Sequence, residues 1–249
     1  MSLPPGWIVP DWPAPAGVRA FVTTREGGVS GGEYASMNLG DRGGDDAAAV
    51  ARNRLLVREH LPARPRWLVQ VHGTAVADLD SLREDEVATA DAAAVSVPGR
   101  VAVVLVADCM PVFLARADGR RIAVAHAGWR GLSAGVVENA LRALGGDPSE
   151  AIAWLGPAIG PCAFEVGLEV KQAFLEADAG AEGAFRPHGE GKVLADLYAL
   201  ARRRLARAGV ASIHGGGSCT FSEPERFFSH RRSRESGRMG AFAWIDGAA

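Results

Sequence analysis

Two histidines and a cysteine, His72, Cys109 and His126, each stand at or near the end of an apolar stretch: RWLVQVHG (66–73), VAVVLVADC (101–109) and RIAVAHAGWRG (121–131). Short apolar runs bounded by turn residues predict buried strands. Strands that end together in one sheet bring side chains far apart in sequence to one spot. A thiolate and two imidazoles at one spot are three protein ligands for zinc, with a fourth position left to water or substrate. Contiguous zinc motifs such as CxxC are absent, so spacing alone leaves other readings open. One is a Cys–His pair working without metal. Another is a small buried cysteine with two satisfied core histidines.

Other groups could serve such a centre. Asp108, beside Cys109, is a possible acceptor for a ligand or an acid/base group. GWRG (128–131) places Arg130 just before a helix that could start at Leu132 or Ser133. A planar guanidinium beside free helix N–H groups suits phosphate or carboxylate; the bland alternative is an arginine tied to a surface carboxylate. GPAIGPC (156–162) lets backbone amides approach a ligand, and Cys162 is a further thiol. SHRRSR (229–234) carries His230, Arg231 and Arg232, which read either as a solvated face or as contacts to a phosphate or nucleoside sugar. Cys219 reads as structural.

The elements that must position these groups follow from the pattern. Residues 1–17 should lie extended, and VRAFVTTR (18–25) should be a first strand. The glycine-rich 26–40 is a long loop, and Asp45 and Asp46 cap a helix through about residue 60. A strand ends at His72, and the acidic 77–92 reads as a surface excursion. Two strands end near Cys109 and His126. A helix over 132–144 buries Leu132, Val136, Ala140, Leu141 and Leu144 and stops at Gly145-Gly146. A strand at 151–160, helices at 167–178 and 193–208, a last core strand at 211–218 and a basic-then-apolar tail at 227–245 complete the reading. No repeat or composition break divides the chain, so the expectation is one α+β domain over 1–249.

Composition narrows the class. The chain has 249 residues, 48% hydrophobic and 22% charged, with a formal net charge of −2. That is ordinary for a globular protein and supplies no global field for nucleic acid or anionic lipid. The N-terminus has no signal-peptide pattern, and no window is long and apolar enough for a membrane span. Three cysteines form no disulfide framework, which points to a reducing compartment and a cytoplasmic location.

QVHG (70–73), ADCMPV (107–112), HAGWRG (126–131), GPAIGPCAFEV (156–166) and FFSHRR…GRM (227–239), taken in order, resemble the bacterial YfiH/YlmD family. That group carries the labels DUF152 and "polyphenol oxidase/laccase domain" and is related to the human purine enzyme FAMIN. The resemblance covers nearly the whole chain; one departure is Ser233, where the family often has aspartate. It implies an α+β mixed-sheet sandwich with flanking helices, similar to the deamidase domain of cytotoxic necrotizing factor. It implies zinc on His72, Cys109 and His126. It also implies phosphorolysis of adenosine, inosine, guanosine and S-methyl-5′-thioadenosine to base plus ribose 1-phosphate, with adenosine deamination. In that setting His72, Cys109, His126 and Asp108 are the catalytic group. Arg130, Arg231 and Arg232 are the groups for substrate and phosphate. The partners are then purine nucleosides and phosphate, without nucleic acid or membrane, on a monomer or weak homodimer. The competing reading is a Cys–His amidase acting on peptidoglycan precursors. A multicopper laccase needs more histidines than the six present.

Overall fold

A computed structural model describes residues 3–247. Met1, Ser2, Ala248 and Ala249, which the expected N-terminal segment and the 1–249 domain include, lie outside the described residues. The chain forms β1 (Val18–Val22), α1 (Ala47–Arg58), β2 (Pro65–Arg66), β3 (Val76–Asp78), β4 (Ala92–Val95), β5 (Val101–Val106), β6 (Met110–Arg116) and β7 (Ile122–Ala127). It continues through α2 (Trp129–Ala134), α3 (Val136–Leu144), β8 (Ala151–Leu155), β9 (Glu165–Gly167) and α4 (Leu168–Ala177). The remainder is β10 (Phe185–Pro187), β11 (Lys192–Ala195), α5 (Leu197–Arg207), β12 (Ser212–Gly215) and β13 (Met239–Ile245).

Two mixed sheets dominate, ordered β12-β8-β6-β7-β4-β3 and β1-β13-β5-β2, beside a small β10-β11-β9 sheet. The period-two alternation of the central strands explains the layering. Along β7, Ile122 and Val124 join the cluster between the two large sheets, while Ala123, Ala125 and Ala127 face the helices. Along β5, Ala102, Val104 and Val106 enter the inter-sheet cluster, and Val101 and Val103 face the opposite way. Strands buried on both faces are therefore apolar throughout rather than alternating. The outer face of the six-stranded sheet is covered by α3, α4 and α5 through Val136, Leu141, Phe174 and Leu205. The outer face of the four-stranded sheet is covered by Trp7, Met37, Leu39 and Val57 of α1 against Phe21, Phe242 and Trp244. The α+β sandwich with flanking helices is thus the observed architecture, and among the described residues no helix is long and apolar enough to cross a membrane.

Several expected elements differ. RWLVQVHG is not a strand up to His72: β2 ends at Arg66, and Val69 makes only an isolated bridge to Thr89. The reason is Gln70, whose amide donates to the Leu105 carbonyl (2.9 Å) and accepts from the Leu105 N–H (2.7 Å). A side chain there does what a backbone ladder would do, and the segment is free to turn. Cys109 lies in the turn between β5 and β6, and His126 lies inside β7. The helix expected over 132–144 starts earlier and breaks at Gly135, which takes a left-handed φ of 105° between α2 and α3. The segment 77–92 is a surface excursion only around Arg83–Val87; Leu79, Ala90 and Asp91 are buried. The strand at 211–218 shortens to β12 at a sheet edge, and the central strand is β13, from the tail.

Candidate metal centre

His126 belongs to the inter-sheet face by the same alternation that buries Ile122 and Val124, and it is 4% exposed. The antiparallel register sets Ala92 opposite Ala125, so Asp91 falls opposite His126 on the same face. The His126 N–H donates to the Asp91 carbonyl (2.7 Å), and its ring Nδ1 meets the Asp91 carboxylate at 2.8 Å. Cys109 precedes β6, in a turn that Asp108 enters with a φ of 80°. His72, itself exposed, takes a φ of 59°. These two are the only non-glycine residues with positive φ among the described residues. Such conformations are uncommon and persist where surrounding contacts enforce them.

The contacts are specific. The Asp91 carboxylate accepts from three consecutive amides, Val71 (3.1 Å), His72 (2.9 Å) and Gly73 (2.7 Å). The Asp108 carboxylate accepts from the Thr220 hydroxyl (2.6 Å) and the Arg231 N–H (2.7 Å), which ties the cysteine turn to the tail. As a result the ligand atoms of His72, Cys109 and His126 lie within 4.8 Å of one another, a grouping able to hold a metal ion. The two imidazoles meet edge to face, their centroids 4.9 Å apart. Gly128 makes room for them, because a Cβ there would stand 2.7 Å from the Cys109 sulfur and 3.3 Å from the His72 ring.

Charge settles on this group. Loss of hydration works against a Cys109 thiolate, but the positive His126 and hydrogen bonds from His126 and His72 outweigh it, and the thiol falls to about 6. Burial works against charge on His126, but the thiolate and Asp91 outweigh it, and the imidazole rises to about 9. Burial likewise opposes ionisation of Asp91, while His126 and the Gly73 and Val71 amides hold it below the usual carboxylate range. Without metal the site is a thiolate–imidazolium pair backed by a carboxylate.

The group lies in a cleft of about 440 Å³ also lined by Asn38, Arg42, Gln70, Arg130, His230 and Arg238. A cleft of this size admits a small organic ligand. A larger one, about 790 Å³, lies around Pro65, Trp67 and Glu84, but includes none of His72, Cys109 and His126. Arg130 reaches the cleft from the first turn of α2, which begins at Trp129, three residues before the earlier expected start at Leu132. Its guanidinium lies over the Trp129 ring at 4.4 Å. Among the described residues the guanidinium groups of Arg130 and Arg42 have no hydrogen bond or ion pair, so both are free for an anion.

The other expected groups fall elsewhere. Asp108 makes no hydrogen bond to His72, Cys109 or His126; the acceptor beside His126 is Asp91. The Arg232 guanidinium is spent on the carbonyls of Thr220, Phe221 and Phe227, and that of Arg231 on the Glu165 carbonyl. Neither lines the cleft, and nor do Cys162 and Cys219. His230, from the same basic run, does. Its Nδ1 lies 3.2 Å from the Arg234 carbonyl, a bond it makes as donor, which leaves Nε2 an acceptor. Sequence reasoning missed Asp91, Arg42 and Arg238. A signal existed for Asp91, an acidic residue directly before the apolar AAAV of β4.

Known proteins share this arrangement of chain. A family model described as "Multi-copper polyphenol oxidoreductase laccase" matches residues 19–246. Among the described residues His72, Cys109 and His126 form a group that could hold a metal ion. The purine nucleoside phosphorylase PA4543 of Pseudomonas aeruginosa is 50% identical over 240 residues, covering 96% of this chain and 98% of its own. The purine nucleoside phosphorylase YfiH of Escherichia coli K12 is 50% identical over 242 residues, with the same coverage. The crystal structure of Neisseria meningitidis NMB0706, a DUF152 protein, superposes with a TM-score of 0.93 at 45% identity, covering 97% of this chain and all of its own. YlmD of Geobacillus stearothermophilus gives 0.88 at 30% identity, with 99% and 98% covered. Matching length, shared fold and half-identical sequence agree, and the chain belongs to the YfiH (DUF152, laccase-domain) family.

Proposed function

We propose that this protein is a zinc-dependent purine nucleoside phosphorylase that also deaminates adenosine. The observation that carries the reading is the convergence of His72, Cys109 and His126 within 4.8 Å at a cleft where two guanidinium groups stand free. Relatives at 50% identity named purine nucleoside phosphorylase support the same class of enzyme. One sulfur and two imidazole nitrogens are the donor set of a zinc site with an open position. When bound there, zinc supplies a Lewis acid able to polarise a phosphate or water oxygen.

The chain's own residues account for the rest. Arg130 and Arg42 hold the phosphate against the ribose and offset its charge as the bond from C1′ to the base breaks. His230 takes a proton from solvent at Nε2 and gives it to the base as the base leaves C1′. Asp108 holds the cysteine turn through Thr220 and Arg231. Arg231 and Arg232 brace the tail against the carbonyls of Glu165, Thr220, Phe221 and Phe227, outside the cleft. We read the chain as one catalytic domain that acts as a monomer or a weak homodimer. The three free cysteines suit the cytoplasm.

The test is chromatography of adenosine reactions on metal-analysed protein with and without phosphate. Adenine that appears only with phosphate supports phosphorolysis, and inosine supports deamination. Stoichiometric zinc with neither product refutes the reading.

A further inference from the structure

One carboxylate serves both histidines of the group. Asp91 Oδ1 lies 2.9 Å from the His72 amide and 2.8 Å from His126 Nδ1. Asp91 Oδ2 takes the amides of Val71 and Gly73. Asp91 is fully buried, and these contacts reach it from two directions, β7 and the turn at 71–73. The turn is held in a conformation that a histidine seldom adopts, and three amides converging on one anion oppose its relaxation. Across the sheet, the Nδ1 contact leaves His126 Nε2 as the nitrogen able to ligate.

We propose that Asp91 is the positioning residue of the metal centre, fixing Nε2 as the ligating atom of His126 and, through the 71–73 amides, holding the His72 ring in place. The inference rests on the metal reading above and adds to it a residue that touches neither ligand atom nor substrate. All four of its neighbours are donors. An asparagine in its place must turn its NH2 group toward at least one of them, whichever way the amide lies. A glutamate keeps two acceptor oxygens at the cost of one extra methylene in a closed space. A tautomer-setting role and a space-filling role therefore rank the two variants in opposite order.

The experiment is zinc affinity by competition with a chromophoric chelator on metal-free wild type, Asp91→Asn and Asp91→Glu, with folding checked by circular dichroism. The expected result is a loss of roughly 10–100-fold for Asp91→Asn, with Asp91→Glu the tighter of the two. Asparagine at wild-type affinity, or tighter than glutamate, overturns the proposal. Should the variants not fold, nitrogen NMR of wild type decides: Nδ1 of His126 protonated and Nε2 on zinc supports it, and the reverse overturns it. A wild type that takes up no zinc refutes the metal reading instead. The same spectrum of that protein then judges Asp91 by whether the carboxylate holds the Nδ1 proton of His126 against exchange with solvent.

Discussion

Gly128→Ala tests whether the cysteine and histidine must approach as closely as they do. The backbone at 128 has φ −69° and ψ 161°, which alanine adopts without strain. The new methyl would stand 2.7 Å from the Cys109 sulfur and 3.3 Å from His72 Cδ2, where an unstrained contact needs about 3.5–4.0 Å. The sulfur must therefore move by about 1 Å. The turn cannot retreat freely, because Asp108 is held by Thr220 and Arg231. Misplacement on this scale costs about 100-fold in rate, or about 2.7 kcal/mol of transition-state stabilisation. Overpacking should cost about 1–3 kcal/mol of stability, lowering Tm by about 2–4 °C per kcal/mol. The assay is kcat/KM for adenosine phosphorolysis alongside zinc content and Tm. Gly217→Ala, with nothing within 4 Å of the new methyl, is the silent control. A Gly128→Ala enzyme with full zinc and wild-type kcat/KM would refute this account of the site.

Further outcomes are expected. In metal-free protein the thiolate absorbance near 240 nm should titrate with a midpoint at about 6 rather than near 9. For stability, the depressed Cys109 contributes fully above pH 9 and loses its contribution as pH falls through 6. The raised His126 contributes fully below 6.5 and loses its contribution as pH rises through 9. The opposite slopes cancel between about 6.5 and 9, so Tm of the metal-free protein should show little dependence on this pair there; a slope that disappears in Cys109→Ala would contradict the pairing. Arg130→Ala should raise KM for phosphate about 10–100-fold, from a charged hydrogen bond of about 1.5–3 kcal/mol, with zinc content unchanged. Arg232→Lys should lower Tm and leave the phosphate KM alone, and the opposite pattern would return Arg232 to the substrate. Asn53→Ala removes bonds to Ser30, Ser36 and Asn38 and strands the Val29 amide. It should cost about 3 kcal/mol in thermal unfolding and weaken nucleoside binding, because the loop it anchors carries Asn38 and Arg42 into the cleft.

The convergence of His72, Cys109 and His126 was legible because each stands beside turn residues near an apolar run, a local signal. The α+β class was legible for the same reason, since apolar strands and amphipathic helices declare their periods, whereas the sandwich was implied by the family resemblance. Asp91 was not, because its importance depends on the β4–β7 register, which sets it opposite His126 and which no local pattern carries. RWLVQVHG misled because Gln70 imitates a strand neighbour with its side chain, so an apolar run need not be a ladder. Arg130 and Arg232 look alike in sequence. Only tertiary contact shows that one is free and the other is consumed by three carbonyls. The break at Gly135 escaped notice because the apolar face of the helix runs on across it.

The strand from residues 239–245 lies between β1 and β5, and the three are far apart in sequence. During synthesis β1 and β5 emerge with a gap between them that only this late segment can fill. Until then each presents an unpaired, apolar edge of the kind that recruits other chains. The nascent protein therefore carries this risk of aggregation until residues 239–245 have emerged, and a stop before residue 239 would leave a sheet with its middle missing.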